Sequence, residues 1–209
     1  MAKEINKEYL KKDQYSTTKN LEARIKIHQF TTNNHSFHEW IFNQYDLSKF
    51  DKNKELKILD VGGGTGVFWK KNIENFKEFK LNITFTDFSE AMIAKNKDNT
   101  ELLKAKKAYE IADVEDLGKY QNLFDIVLCH NVIYHAEDKD NALINLKNCL
   151  NDEEKSFCSI TTNSEKHMLN VYEIGRNLDK NFPIDRIIDT FTEEVADKML
   201  PNHFKFEQK

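Results

Sequence analysis

The stretch Leu56-Lys57-Ile58-Leu59-Asp60-Val61-Gly62-Gly63-Gly64-Thr65-Gly66 decides the fold of this 209-residue chain. An apolar run, Leu56–Val61, ends in a turn that holds four of the chain's six glycines. A chain this sparing with glycine that gathers it in one turn needs unusual backbone dihedrals there, or close approach of a ligand. A helix is expected to follow, from about Thr65 to Phe79. Strand, glycine turn and helix together open a parallel, doubly wound sheet. In such sheets ligands sit outside the carboxyl ends of the strands, at the switch point.

Downstream of this unit the pattern repeats. Strands are expected at Asn82–Asp87, about Ala108–Asp113, Phe124–His130 and Ser156–Thr162. Ser89 is placed to cap a helix running through Met92. Asp138 and Asp140 suit the first turn of a helix with a buried stripe of Leu143, Leu146 and Leu150. A further helix is expected through Lys166–Leu178, and another over Thr192–Leu200. Continuously apolar strands alternating with helices mean a parallel sheet covered on both faces, wound by right-handed crossovers.

Upstream, residues 1–50 read as a separate helical cap or lid, and residues 51–209 as the main domain. Leu21, Arg24, Ile25 and His28 share one helical face; Phe37, Trp40, Ile41, Gln44 and Tyr45 share another. The size and the 39% hydrophobic content suit one domain, or one with a lid. Lysine and arginine number 31 against 35 acids, a net charge of −4, so a whole-protein basic field for nucleic acid is absent. Cys129, Cys149 and Cys158 have no metal-ligand spacing, and no metal site is expected. They read as reduced core thiols, which points to a cytoplasmic home. No apolar run reaches membrane-spanning length and the N-terminus lacks the apolar core of a signal peptide.

Three readings of the glycine turn compete. A phosphate-binding loop fails because no Gly-Lys-Ser/Thr follows. A dinucleotide fingerprint matches in part, since Val67 stands where its third glycine belongs; this keeps a nicotinamide-dependent oxidoreductase as a rival. The third reading requires an acid two residues before the first glycine, which is Asp60.

In that third reading Asp60-Val-Gly-Gly-Gly-Thr-Gly66 resembles the first motif of class I S-adenosylmethionine-dependent methyltransferases. Thr86-Asp87-Phe88-Ser89-Glu90-Ala91-Met92 resembles the second motif, Ala112–Leu117 the adenine-contacting segment, Phe124–His130 the fourth strand, and Asn131-Val132-Ile133-Tyr134-His135 the turn that closes the site. Gln14-Tyr15 through His28 resembles the helical cap of small relatives, and His167-Met168 a recurring segment after the fifth strand. The resemblance implies a Rossmann-like methyltransferase fold with S-adenosylmethionine as cofactor. It also implies transfer of a methyl group to a small molecule by in-line displacement.

The residue types suit that cofactor. Gly62, Gly63, Gly64 and Gly66 would let the backbone meet the methionine portion. Asp60 would receive the ammonium, and Asp87 both ribose hydroxyls. Asp113 and the Val114 amide would take the adenine edge, with Phe88 and Val114 sandwiching the ring. Tyr15 and Arg24 are assigned to the cofactor side of the lid. His130 is also counted there, and with His135 it is a candidate general base for a hydroxyl acceptor. His28 and His167 are further candidates. The alternatives are an RNA or protein acceptor, or a protein that binds the cofactor without catalysis. The family completes its sheet with two more strands, the last antiparallel. Here Phe204–Gln208 is the one candidate, so the last antiparallel strand is expected to be missing. The oligomeric state is left open.

Overall fold

The computed structural model describes residues 36–151, 154–182 and 187–205, together with the single positions 17, 18, 21, 26 and 30. Its ordered elements begin with a short helix α1, Phe37–Phe42, capped by a reciprocal pair in which Ser36 and Glu39 each bond the other's backbone. The glycine unit follows as β1 (Glu55–Val61) and α2 (Val67–Asn72). Then come β2 (Lys80–Asp87), α3 (Glu90–Asn99), β3 (Ala105–Ile111), β4 (Ile126–His130), α4 (Lys139–Cys149), β5 (Phe157–Thr161), α5 (Leu169–Leu178) and α6 (Glu193–His203).

The five strands form one parallel sheet in the order β3-β2-β1-β4-β5. The order reverses between β1 and β4, which puts the switch point beside the glycine turn. Alternate strand residues feed two cores. Ile58, Ile83, Phe85, Ile126 and Leu128 pack under α1 and α2 with Trp69 and Phe76. Leu59, Val61, Val127 and Cys129 pack under α4 and α6 with Leu143, Leu146 and Phe191. Strands buried on both faces are why the sequence reads as unbroken apolar runs. Caps fall as the residue types require: Ser89 accepts from the Met92 amide, Asp138 from Asn141, and Thr192 from Val195.

Several boundaries shift by one to three residues from the sequence reading, and three departures have a physical cause. The helix expected over Thr65–Phe79 stops at Asn72 and continues only as a 3-10 turn over Ile73–Phe76. The Asn72 amide donates to the carbonyls of Phe68 and His38, local bonding that competes with helix propagation. β3 lies about three residues earlier than expected, pairing Leu81↔Ala105 through Asp87↔Ile111. Its Lys106, Lys107 and Glu110 disguise it, because an edge strand tolerates charge that a central strand does not. Phe204, taken as the start of a candidate strand, instead caps the carboxyl end of α6; Gln208 lies outside the described residues. Among the described residues no strand follows β5, and no helix is long and apolar enough to cross a membrane. Cys129 and Cys149 are buried, and Cys158 is partly so.

Candidate functional site

The carboxyl end of β1 delivers Asp60 into the floor of the glycine turn. Asp60 is 4% exposed, and its Oδ2 accepts from Trp69 Nε1 at 2.8 Å. Burial raises its carboxyl from 3.8 to about 7; the neighbouring Asp87 charge adds to the rise and the Trp69 bond opposes it. Among the described residues no lysine or arginine bridges to it.

The turn is built to bring backbone close. Gly62, Gly64 and Gly66 have φ of 63°, 53° and 73°, the left-handed region. A Cβ on Gly62 would lie 2.4 Å from a Val132 methyl, so the turn packs directly on the chain leaving β4. A Cβ on Gly63 would lie 2.5 Å from Asp60 Oδ2. At Gly64 the space beyond the backbone is open to 4 Å. The Gly63 amide donates to the Thr86 carbonyl at 2.9 Å, and the Thr86 hydroxyl to the Asp60 carbonyl at 3.1 Å, tying the turn to β2.

Asp87 ends β2. Its Oδ2 accepts from the Gly64 amide at 3.0 Å and its Oδ1 from the Ser89 amide at 2.9 Å. The Phe88 amide bonds the same carboxylate, which still leaves lone-pair capacity for a hydroxyl donor. Burial raises this carboxyl to about 6 against those bonds. Phe88, half-buried, follows it. The Ala112 amide donates to the Asp87 carbonyl at 3.2 Å, bringing the chain after β3 to the same end of the sheet. There the Asp113 carboxylate accepts from the Glu115 amide at 3.0 Å, in a turn that carries the buried Val114.

The structure therefore gathers Asp60, the four glycines and Asp87 at one turn, with Asp113 and Val114 on the adjoining loop. His130 stands apart in a group with Tyr45 and Ser159. Burial pushes its imidazole down to about 3, with His38 nearby adding to the effect. His135 is buried in the 3-10 turn Ile133–His135, its ring tilted on Tyr134 at 4.5 Å. His167 closes a tight turn onto the Ser164 carbonyl before α5. Tyr15, Arg24 and His28 lie outside the described residues.

Two supporting residues escaped the sequence reading. Trp69 orients Asp60 from the next helix. Asn96, fully buried on α3, directs its amide to the Gly63 and Gly64 carbonyls at 3.5 and 3.3 Å. Its signal was present: Asn96 stands four residues after the buried Met92, on the core face of α3.

Residues 59–153 match the model of a methyltransferase domain. The tRNA U34 carboxymethyltransferase of Campylobacter fetus is 31% identical over 111 residues, 53% of this chain and 38% of that protein. A ubiquinone biosynthesis O-methyltransferase of Coxiella burnetii is 29% identical over 112 residues, 52% of this chain and 45% of that one. The chain thus spans less than half the length of these curated relatives. The fold is shared with a phosphoethanolamine-type N-methyltransferase of Haemonchus contortus, solved with phosphomonomethylethanolamine and S-adenosylhomocysteine. That match has a TM-score of 0.57 at 20% identity, over 91% of this chain and 43% of the other.

Proposed function

We propose that this chain, whose residues 59–153 match a methyltransferase domain, moves a methyl group from S-adenosylmethionine to a small-molecule acceptor in the manner of a class I enzyme. The observation that carries the reading is the buried Asp60 carboxylate under a glycine turn, with Asp87 bonded to that turn's backbone. A buried acid with a strongly raised pKa and, among the described residues, no cationic partner is a place that favours a positively charged ligand.

The residues fit that cofactor. Gly64 leaves open space where a methionine portion would approach the backbone. Asp60 would hold the ammonium, and the remaining lone pairs of Asp87 would take the ribose hydroxyls. Asp113 and the Val114 amide would address the adenine edge, between Phe88 and Val114. When bound, S-adenosylmethionine supplies a methyl group on a sulfonium, open to in-line attack by an acceptor lone pair. The protein's part is to fix that line of attack and exclude water. The glycine turn, clamped by Asn96 and by β2, holds one side rigid. The N-terminal part of residues 1–50 would close over the other as a lid, with Tyr15 and Arg24 on its cofactor side, while Ile41 and Phe50 already pack in the core against the sheet. An acceptor that must lose a proton needs a base; burial makes the His130 imidazole a weak one, and His135 is the other candidate. The net charge of −4 favours a small acceptor over RNA, and a cytoplasmic setting fits the reduced thiols.

Isothermal titration of the folded chain with S-adenosylmethionine tests the first half, and formation of S-adenosylhomocysteine with a panel of small acceptors the second. Saturable binding with turnover is expected. No binding, or tight NAD binding in its place, would overturn the reading. Turnover on RNA alone would move the acceptor to another class.

A further inference from the structure

The carboxyl end of the sheet carries a second polar group that the cofactor reading does not use. The Tyr45 hydroxyl lies 3.1 Å from both His130 Nε2 and Ser159 Oγ, and those two atoms are 3.1 Å apart. The three residues are separated by 85 and 114 positions in the chain, so only the fold brings them together. Thr161 is the Cα partner of His130 and lies two residues beyond Ser159, so it projects from the same face of the sheet. Its hydroxyl oxygen is buried and has no hydrogen-bond partner. Leu128 is the Cα partner of Asp60, and His130 lies one pleat further along that face. The group therefore stands next to the glycine turn, above β4 and β5. The Phe68 ring closes one side of it, edge-on to His130 at 5.2 Å.

Proton counting shows that the triangle is incomplete. A neutral imidazole offers at Nε2 either one proton or one lone pair. With the proton on Nε2, that proton and one hydroxyl proton fill two sides, and the other hydroxyl proton must point outward. With the lone pair on Nε2, the Tyr45 proton reaches Ser159, the Ser159 proton reaches His130, and the Tyr45 oxygen accepts nothing. In each state one close contact holds no proton. The Thr161 hydroxyl adds an unused donor and acceptor beside it. A half-buried group with both capacities unspent is matched by a ligand group that donates and accepts at once. A hydroxyl does both; a carboxylate only accepts, and an ammonium only donates. No charged side chain hydrogen-bonds to this group among the described residues; the Asp60 carboxylate acts on the Tyr45 hydroxyl only through space, and the donor's ammonium would occupy it.

We propose that Tyr45, His130, Ser159 and Thr161 form the acceptor-recognition subsite, which takes an uncharged hydroxyl of the methyl acceptor. This rests on reading the glycine turn as the methyl-donor site, and it names the acceptor class. His130 is then a positioning residue: it orients the acceptor through its hydrogen bonds and removes no proton.

Three ring compounds that differ only in their polar group serve as probes: phenol, benzoate and benzylammonium. They are titrated into the full chain, with and without S-adenosylhomocysteine, while the side-chain nitrogens of His130 are followed by NMR and S-adenosylhomocysteine binding by calorimetry. Phenol is expected to shift the His130 signals saturably, and Thr161→Val and Ser159→Ala to weaken it about five- to tenfold each. S-adenosylhomocysteine affinity is expected to stay unchanged in both variants, which also shows them to be folded. No phenol effect, preference for benzoate or benzylammonium, or an unchanged phenol affinity in both variants would each overturn the proposal. If S-adenosylhomocysteine fails to bind while phenol still engages His130, the donor-site reading falls and the hydroxyl site remains.

Discussion

Asp60→Asn separates the cost of the buried acid from its use. Asp60 is 4% exposed, and its carboxyl is raised from 3.8 to about 7, first by burial and then by the Asp87 charge. At about 1.4 kcal/mol per pH unit, that rise is on the order of 4 kcal/mol at most. The folded chain holds this proton more tightly than the unfolded chain does. Stability from this group is therefore full below about pH 4, falls as the pH rises through the window to about 7, and is flat above it. The Asn variant keeps the shape and the acceptor for Trp69 but carries no charge. It should be more stable than the wild type at pH 8, by roughly 2–4 kcal/mol, and nearly equal to it at pH 4. Urea midpoints at the two pH values measure this. Cofactor binding should move oppositely. Between pH 6.0 and 7.5 the ionised fraction of Asp60 rises from about a tenth to about three quarters, so wild-type affinity for S-adenosylmethionine should rise about eightfold. Asp87, raised to about 6, adds about a further twofold in the same window. The window stops short of the titration of an α-amino group, near 7.7–8.0. The Asn variant should bind more weakly throughout and keep only the twofold slope. A variant no more stable at pH 8 than the wild type, together with a pH-independent wild-type affinity, would refute the claim that Asp60 is a strained acid awaiting a cation.

Other substitutions probe the same turn. Asp87→Ala removes the acceptor of the Gly64 and Ser89 amides and should weaken cofactor affinity at least tenfold, about 1.5–3 kcal/mol, by calorimetry. Gly62→Ala places a methyl 2.4 Å from Val132 at a φ of 63°, and should cost roughly 2–4 kcal/mol in chemical denaturation. Adding Val132→Ala should recover the collision but leave about 1 kcal/mol of backbone cost. Trp69→Phe removes the bond that lowers the Asp60 carboxyl, so the pH midpoint of cofactor binding should move upward from about 7.

Most of the candidate cofactor side was legible in the chain itself. Asp60, the glycines, Ser89 and Asp87 lie on local signals: an apolar run, a turn that only glycine serves, a cap. Their partners come from short separations or from the adjoining strand. The errors were of two kinds. β3 was misplaced because Lys106, Lys107 and Glu110 make an edge strand resemble a loop. The helix after the glycine turn was overextended because the Asn72 bond to the His38 carbonyl crosses between elements.

What the sequence determined by itself is therefore the parallel sheet, the turn at its switch point and the acids around that turn, because these follow from propensities and spacings of a few residues. What only the tertiary structure decided are contacts between distant segments. Trp69 is turned onto Asp60, Asn96 grips the turn, and Tyr45, His130, Ser159 and Thr161 meet on one face. Their chemistry depends on burial and on hydrogen-bond partners, and both come into being only when the strands and helices pack. His130 illustrates it: the sequence shows a histidine of ordinary affinity, whereas packing beneath Tyr45 and Phe68 makes it a neutral, weakly basic group that can hold a hydroxyl.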